Sequence, residues 1–300
     1  ALVGLEPAAT GRVTFAGEPV VPLGQARRPE RLRPLQMVFQ DPYASLNPRR
    51  KVGELIADGV TLGRRRRAAS AGLGRSGRAD GGGRAEYGRA EGLRLAGELL
   101  DRVGLSADAA AKYPHEFSGG QRQRIAIART LAARPRCIVA DEPISALDAS
   151  AQAQVANLLL SLAREDGLGI VFISHDLSIV RQIADRVAVM YLGRIVETGA
   201  TEPVWSQTVH PYTEALVSAI PRADGAGRLP VDLPGDVPNP ARPPTGCRFH
   251  PRCPLAEPRC ATIDPALRPV PGQADGPVPG QADGPVPVGH AAACLVRVPS

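Results

Sequence analysis

The stretch "EFSGGQRQRIAIARTLAARPRCIVADEPISALD", residues 116–148, decides how this 300-residue chain is read. A serine and a glycine pair precede a helical run, and a short apolar run then ends in two acids. Ser118 is a good helix N-cap, and Gly119 and Gly120 expose backbone N–H groups in the first turn. Such a terminus offers unpaired donors and partial positive charge, a place for an anion. Hydrogen bonds to a charged group are worth about 1.5–3 kcal/mol each and the helix dipole only about 0.3–1 kcal/mol, so the amides matter more. Taken alone, Ser-Gly-Gly reads equally well as an ordinary capped helix.

The downstream residues change that. "IVADE" sets Asp141 and Glu142 at the carboxyl end of a buried strand, where open α/β sheets place ligands. Adjacent acids there are costly unless a cation or a proton-accepting role compensates. Asp141 is the candidate Mg²⁺ ligand, and Glu142 the candidate for orienting a water. "VFISHD" repeats the geometry and puts His175 at the end of a second strand, where it can meet a terminal phosphate. Gln40, closing "MVFQ", lies at a strand-to-loop junction and can reach metal or water through its amide.

Around this stretch the chain alternates apolar strands with helices. "GRVTFAGEPV" (11–20) reads as a strand and turn, and "LQMVFQDPYASLNP" (35–48) as a strand ending in a polar loop. Helical spacing marks "KVGELIADGV" (51–60), "LRLAGELLDRVGL" (93–105), "QRQRIAIARTLAA" (121–133) and "AQAQVANLLLSLARED" (151–166), with a further helix from Asp176. "CIVA" (137–140) and "GIVFIS" (169–174) are all-apolar strands, and "RVAVMYLGRIVETG" (186–199) is two strands joined around Leu192–Gly193. This implies a largely parallel sheet covered on both faces, an α/β architecture.

Two segments depart from it. Residues 62–92 are rich in Gly, Arg and Ala without apolar period, and read as a disordered basic insert. Between Arg64 and Arg94, nine arginines face only Asp80, Glu86 and Glu91, which accounts for the whole formal charge of +6. With 4% aromatics to stack on bases, a nucleic-acid partner is not expected. After Ile220 come 18 of the 30 prolines and four of the five cysteines, which excludes a packed helical domain there. The octet "PVPGQADG" at 269–276 recurs at 277–284, a duplication that lengthens a loop at little cost. No apolar run approaches the roughly 18 residues of a membrane span, and no leader opens the chain, so a cytosolic protein is expected.

"FSGGQRQR", "IVADEP", "SALD" and "SHD", in this order, resemble the signature, Walker B, D-loop and switch histidine of ABC-transporter ATPases. "QDPYASLNPRRKVGELI", "YPHEFSGGQRQRIAIAR", "MYLGRIVETG", "HPYTEAL" and "CRFHPRCPLAEPRC" resemble the oligopeptide/dipeptide importer branch, and the SGGQ form leans to its second, F-type subunit. The resemblance covers about 1–60 and 93–294. It implies an ABC-type P-loop NTPase domain over 1–220, with a RecA-like core sheet and a helical subdomain. A Pro-rich, cysteine-containing C-terminal region follows over 221–300. It further implies ATP and Mg²⁺ as ligands, a second ATPase subunit and two membrane permeases as partners, an extracytoplasmic substrate-binding protein reached indirectly, and a place on the cytoplasmic face of the membrane.

A phosphate loop would read G-x-x-x-x-G-K-[ST]. The only lysines are Lys51 and Lys112, neither in such a motif, and "GLGRSGRA" from Gly72 ends in Arg-Ala. "ALVGLEPAATG" (1–11) resembles the helix end just after that motif, so the expectation is a chain that starts downstream of its own phosphate loop. The family's phosphate-loop strand is expected centrally, beside the strand carrying Asp141. Ser118, Gly119, Gly120, Gln121 and Asp148 are then expected to face ATP held by a partner, while Gln40, Asp141, Glu142 and His175 serve a site without its loop. Two other readings are a non-hydrolytic regulatory half of a heterodimer and a DNA-repair-type ATPase; the latter would show zinc pairs or long coiled coils.

Cys247, Cys253 and Cys260 are spaced x₅ and x₆, with Cys294 further on, and disulfides are not expected in a cytosol. Zinc sites more often use x₂₋₄ pairs. The resemblance implies a [4Fe–4S] cluster in some members with such a tail. Zinc, with His250 or His290 substituting, and no metal both stay open. Cys137 reads as core.

Overall fold

The apolar runs become strands, and their pairing brings three strand ends to one level. In the computed structural model, residues 2–6, 11–22, 28–60, 81–220, 233–271 and 289–298 are described, with 81–89 by backbone alone. Two compact units form, Ala1–His175 and Asp176–Ser300. Residues 176–220 share the second unit with the cysteine segment.

The first unit opens with an antiparallel hairpin of β1 (Thr14–Phe15) and β2 (Glu18–Pro19). Strands β3 (Leu35–Val38), β4 (Cys137–Asp141) and β5 (Gly169–Ile173) follow as a parallel sheet in the order β3-β4-β5. Two expectations need correction here. With β3 on one side and β5 on the other, β4 has no free edge, so a further strand can pair only outside β3 or β5. "GIVFIS" is also not covered on both faces: Val171 is 43% and Ile173 41% exposed. β5 is the outer strand of this sheet, and one of its faces has no cover among the described residues.

Helices α1 (Pro42–Ser45), α2 (52–60), α3 (Gly81–Arg102), α4 (Gly119–Ala132) and α5 (Ala149–Asp166) complete the unit. The polar loop expected after β3 starts with α1, capped by Asp41, whose carboxylate accepts from the Tyr43 N–H at 2.8 Å. Helix α3 begins twelve residues before the expected Leu93, so 81–92 are helical and not disordered. Buried Ala96 and Leu100 anchor its second half, while the stretch before them mixes good helix formers, Ala, Glu and Arg, with five glycines that oppose the extension. The rest of the expected insert, 61–80, lies outside the described residues. Ile56, Leu100, Ile125, Ile127 and Ile138 are among the fully buried side chains. A Cβ at Gly59 would stand 2.7 Å from Ala132 Cβ and 2.8 Å from Arg129 O, so α2 approaches α4 at a contact only glycine allows.

The second unit has α6 (Leu177–Ile183), β6 (Arg186–Tyr191), β7 (Arg194–Ala200), α7 (Thr201–Ser206), α8 (Pro211–Ser218), β8 (Arg268–Pro269) and β9 (Ala291–Ala292). Its sheet is antiparallel in the order β6-β7-β9-β8. The β6–β7 turn falls at Leu192–Gly193, both at positive φ, as expected. Phe249 of the cysteine segment is 1% exposed and packs on Val189, Tyr191 and Val196. Its ring meets Tyr191 edge-on at 5.2 Å and Tyr212 at 5.4 Å. Between 233 and 298 the described residues form only short 3₁₀ turns and two-residue strands, as the proline content requires. No helix among the described residues is long and apolar enough to cross a membrane.

His210 caps α8: its Nδ1 accepts from the Tyr212 N–H at 3.2 Å, which needs a neutral imidazole. Burial pushes it down from 6.5 to about 4; the Glu197 carboxylate pulls it up and Arg297 pushes it down. A folded pKa below the unfolded one gives stability that is complete above the unfolded value and is lost as pH falls. Stability of this unit should therefore drop between about pH 6.5 and pH 4, by up to about 3 kcal/mol. Trp205, the only tryptophan and buried in α7, reports it by fluorescence in denaturant titrations. His210→Asn, which keeps a capping acceptor that does not titrate, should flatten the slope.

Candidate active site

The in-register parallel pairing Val38↔Ala140 and Asp141↔Ile173 brings the carboxyl ends of β3, β4 and β5 to one level. Residues just beyond those ends therefore meet. Gln40 Nε2 donates to Glu142 Oε2 at 2.9 Å, across 102 residues of sequence. His175 Nδ1 stands 3.5 Å from Glu142 Oε1, with the imidazole largely in solvent. Asp141 occupies the last position of β4, half-buried. Glu142 has φ 42°, a left-handed conformation that a β-carbon disfavours. It is held there by its N–H donating to Ile173 O at 2.9 Å and by Ser145 Oγ donating to its carbonyl at 3.1 Å. Backbone strain of about 1–3 kcal/mol persists only where the surroundings fix it, and such residues gather at active sites.

A second group forms at the start of α4. Ser118 Oγ accepts from the Gln121 N–H at 3.4 Å and Gln121 Oε1 accepts from the Ser118 N–H at 3.0 Å, a reciprocal capping box. The serine and glutamine thus tie each other, leaving the Gly119 and Gly120 N–H groups as first-turn donors with no acceptor inside the helix. A Cβ at Gly119 would meet Leu147 Cδ2 at an ordinary 3.5 Å, and one at Gly120 would press Ala151 Cβ at 3.0 Å. Asp148 caps the neighbouring α5 by accepting from the Ala151 N–H at 2.9 Å. The two groups share no hydrogen bond or ion pair among the described residues.

Arg122 stands inside "FSGGQRQR", but the sequence alone assigns it no role. It is buried, Nε donates to Pro114 O at 2.7 Å and Nη2 to His115 O at 3.4 Å, and its guanidinium lies 3.9 Å from the Tyr43 ring centre. Arg129 donates to Ser45 O. These two arginines tie the segment after Gln40 to the glycine-led helix.

In the second unit the four cysteines are free, Cys260 and Cys294 buried and Cys247 and Cys253 half-buried. Burial pushes the Cys247 and Cys253 thiols up, and both also feel Cys260 and Cys294. The Cys247 N–H donates to Cys260 O at 2.9 Å. Among the described residues, no group of three or more such side chains is placed to hold a metal ion. Zn–S bonds of about 2.3 Å would bring tetrahedral sulfurs to within about 3.8 Å of one another, so the arrangement speaks against a single bound zinc. His290 is committed to Glu197 at 2.7 Å, and His250 Nδ1 contacts Cys247 O at 2.9 Å.

Residues 1–145 match the ABC transporter family, and 196–260 match the oligopeptide/dipeptide transporter C-terminal region. A probable peptide ABC transporter ATP-binding protein, y4tS of Sinorhizobium fredii, is 45% identical over 296 residues, covering 97% of this chain and 72% of that protein. The chain belongs to the ATP-binding proteins of ABC transporters. The oligopeptide transport ATP-binding protein OppF of Salmonella typhimurium is 44% identical over 270 residues, covering 89% of this chain and 75% of that protein. Among solved structures, CbiO1 of Clostridium perfringens, part of the ABC transporter complex CbiONQ, aligns with TM-score 0.51 at 25% identity over 69% of this chain and 72% of that one. The fold is the ABC-type P-loop NTPase fold.

Arg122 joins the two parts of this ATP-binding protein that carry its motifs. Arg122→Ala should cost about 1–3 kcal/mol in urea unfolding, because the Pro114 and His115 carbonyls lose their donor. Arg122→Lys, without a planar fork, should recover less than half of the loss.

Proposed function

We propose that this chain is the ATP-hydrolysing subunit that energises peptide import through an ABC transporter, working with a second ATPase subunit and with membrane permeases. The observation that carries the proposal is the meeting of Gln40, Glu142 and His175 at the carboxyl ends of β3, β4 and β5, the first two of which lie within the residues that match the ABC transporter family. The names of the relatives, peptide and oligopeptide transport ATP-binding proteins, support the substrate class. Residues 1–220 would be the ATPase portion and 221–300 the region characteristic of the oligopeptide/dipeptide branch.

The roles follow from chemistry. Asp141 would hold Mg²⁺ through its carboxylate, and the ion would supply charge neutralisation at the phosphates. Glu142 accepts the proton of the attacking water, with Gln40 fixing one carboxylate oxygen and leaving the other toward His175. His175, exposed, meets the γ-phosphate. Ser118, Gly119, Gly120 and Gln121 face the nucleotide of the second subunit through the free amides of the first turn, with Asp148 beside them. The four cysteines would hold a [4Fe–4S] cluster, in which each thiolate binds a different iron and the sulfurs need not stand as close as around one zinc. What supports this reading is the match of 196–260 to the oligopeptide/dipeptide transporter C-terminal region, which contains Cys247, Cys253 and Cys260.

Gly119 gives a clean test, since its own chain leaves room for a methyl group and Gly120's does not. In the assembled transporter, Gly119→Ala should cut ATP-driven peptide uptake by about tenfold or more, as the methyl group keeps a phosphate from the amide and one charged hydrogen bond is lost, with the melting temperature not lowered. Undiminished uptake refutes the assignment. Residues 1–300 contain no G-x-x-x-x-G-K-[ST], so the isolated polypeptide should hydrolyse ATP at background rate in a phosphate-release assay. Turnover at the rate of the assembled transporter would show that another group cradles the phosphates.

A further inference from the structure

Glu197, at the centre of β7, is fully buried, and so is His290, 93 residues away. A buried carboxylate is costly unless its lone pairs are met. Here Oε1 accepts from the Val209 N–H at 2.8 Å and faces His290 Nε2 at 2.7 Å, while Oε2 accepts from the His210 N–H at 2.9 Å. Gly199 leaves room for His290, since a Cβ there would press Val204 Cγ2 at 3.0 Å and His290 Cα at 3.2 Å. The site is built to receive His290.

We propose that the Glu197–His290 pair is a register pin: it sets which residues of the C-terminal segment enter the sheet and thereby delivers Cys294 to Cys247, Cys253 and Cys260. Strand β9 is only Ala291–Ala292, pairing Ala292 with Glu197 and Ala291 with Thr198 on one side and with β8 on the other. Two alanines carry no side chain that distinguishes one register from the next, and register is weakly specified in such a strand. The extended segment runs further, since Val270 N–H donates to His290 O and Ala293 N–H to Val196 O, both at 2.8 Å. Side chains alternate along it, so His290, Ala292 and Cys294 share one side, the side of Glu197 opposite Ala292. His290 is then the diagonal neighbour that reaches the carboxylate, and Cys294 lies one period further on. A slip of one residue would carry the imidazole off its acceptor and turn Cys294 to the other face. Arg259, donating to Leu295 O at 3.0 Å, and Arg297, paired with Glu214 at 2.7 Å, hold the turn that follows. Both are partly exposed side chains acting beyond Cys294, so they secure the turn without choosing the register.

The pin is a positioning device, and the inference does not rest on what the thiols bind. Its test is therefore thiol accessibility, read cysteine by cysteine by mass spectrometry after timed iodoacetamide labelling of the assembled transporter, with and without iron chelation. His290→Ala should raise the Cys294 rate by at least about tenfold, the factor expected when one charge-assisted hydrogen bond no longer opposes local opening, and leave Cys137 and Cys260 unchanged. His290→Gln, whose amide nitrogen reaches the Nε2 position, should restore protection. Should His290→Ala give no folded chain, Glu197→Gln, which keeps an acceptor for a backbone N–H, takes its place with the same expectation for Cys294. A Cys294 rate equal to the parent's overturns the proposal, and so does an equal rise at all four cysteines. Loss of the pattern only on chelation would overturn it too, since the metal and not the pair would then set Cys294. An iron-free parent whose Cys294 stays protected sinks the cluster and leaves the pin standing.

Discussion

The parallel register of β3, β4 and β5 is the constraint on which the meeting of Gln40, Glu142 and His175 depends. Each pairing fixes its strand relative to β4, so the residues one or two places past the strand ends arrive together. Gln40, Glu142 and His175 come from sequence positions more than a hundred residues apart overall, yet one carboxylate lies against both an amide and an imidazole. Side chains alternate between faces along a strand, so a single-residue slip of β3 or β5 would dissolve the group. The left-handed turn at Glu142 then swings its carboxylate out of the sheet line and into reach of both partners.

The glycine-led helix obeys a different logic. Ser118 and Gln121 satisfy each other, so the helix start is complete as structure without any ligand. What remains unspent is the amide pair of Gly119 and Gly120, together with the space above Gly119. A cap that needed only to end a helix would gain stability from alanine at that position, because glycine costs about 1 kcal/mol relative to alanine in a helix interior and less near its end.

The second unit binds its prolines and cysteines into a core through aromatic and buried polar contacts made to the β6–β7 hairpin and to α8. Phe249 sits among Tyr191, Tyr212 and Val196, so the segment bearing Cys247 and Cys253 is anchored to the β6–β7 hairpin. Glu197 and His290 fasten the far end of the chain into the same sheet. The first copy of the duplicated octet begins in the sheet, with Pro269 in β8 opposite Ala291 and the Val270 N–H donating to His290 O at 2.8 Å; the remainder, 272–284, lies outside the described residues.

By itself the sequence determined the alternation of strands and helices, the turn at Leu192–Gly193, the cap at Ser118 and the identities of the groups that meet at the carboxyl ends of the strands. These are readable because caps, turns and apolar periods are local, and because the motifs bearing them match a known family. The early start of α3, the half-exposed face of β5, the both-sided pairing of β4, the stacking of Arg122 on Tyr43 and the burial of Glu197 against His290 were not readable. Helix propagation, strand order and the partner of a buried charge depend on which distant segments lie alongside. No residue type or spacing near Gly81, Ile173, Arg122 or Glu197 records that neighbour. Only the folded chain brings it there.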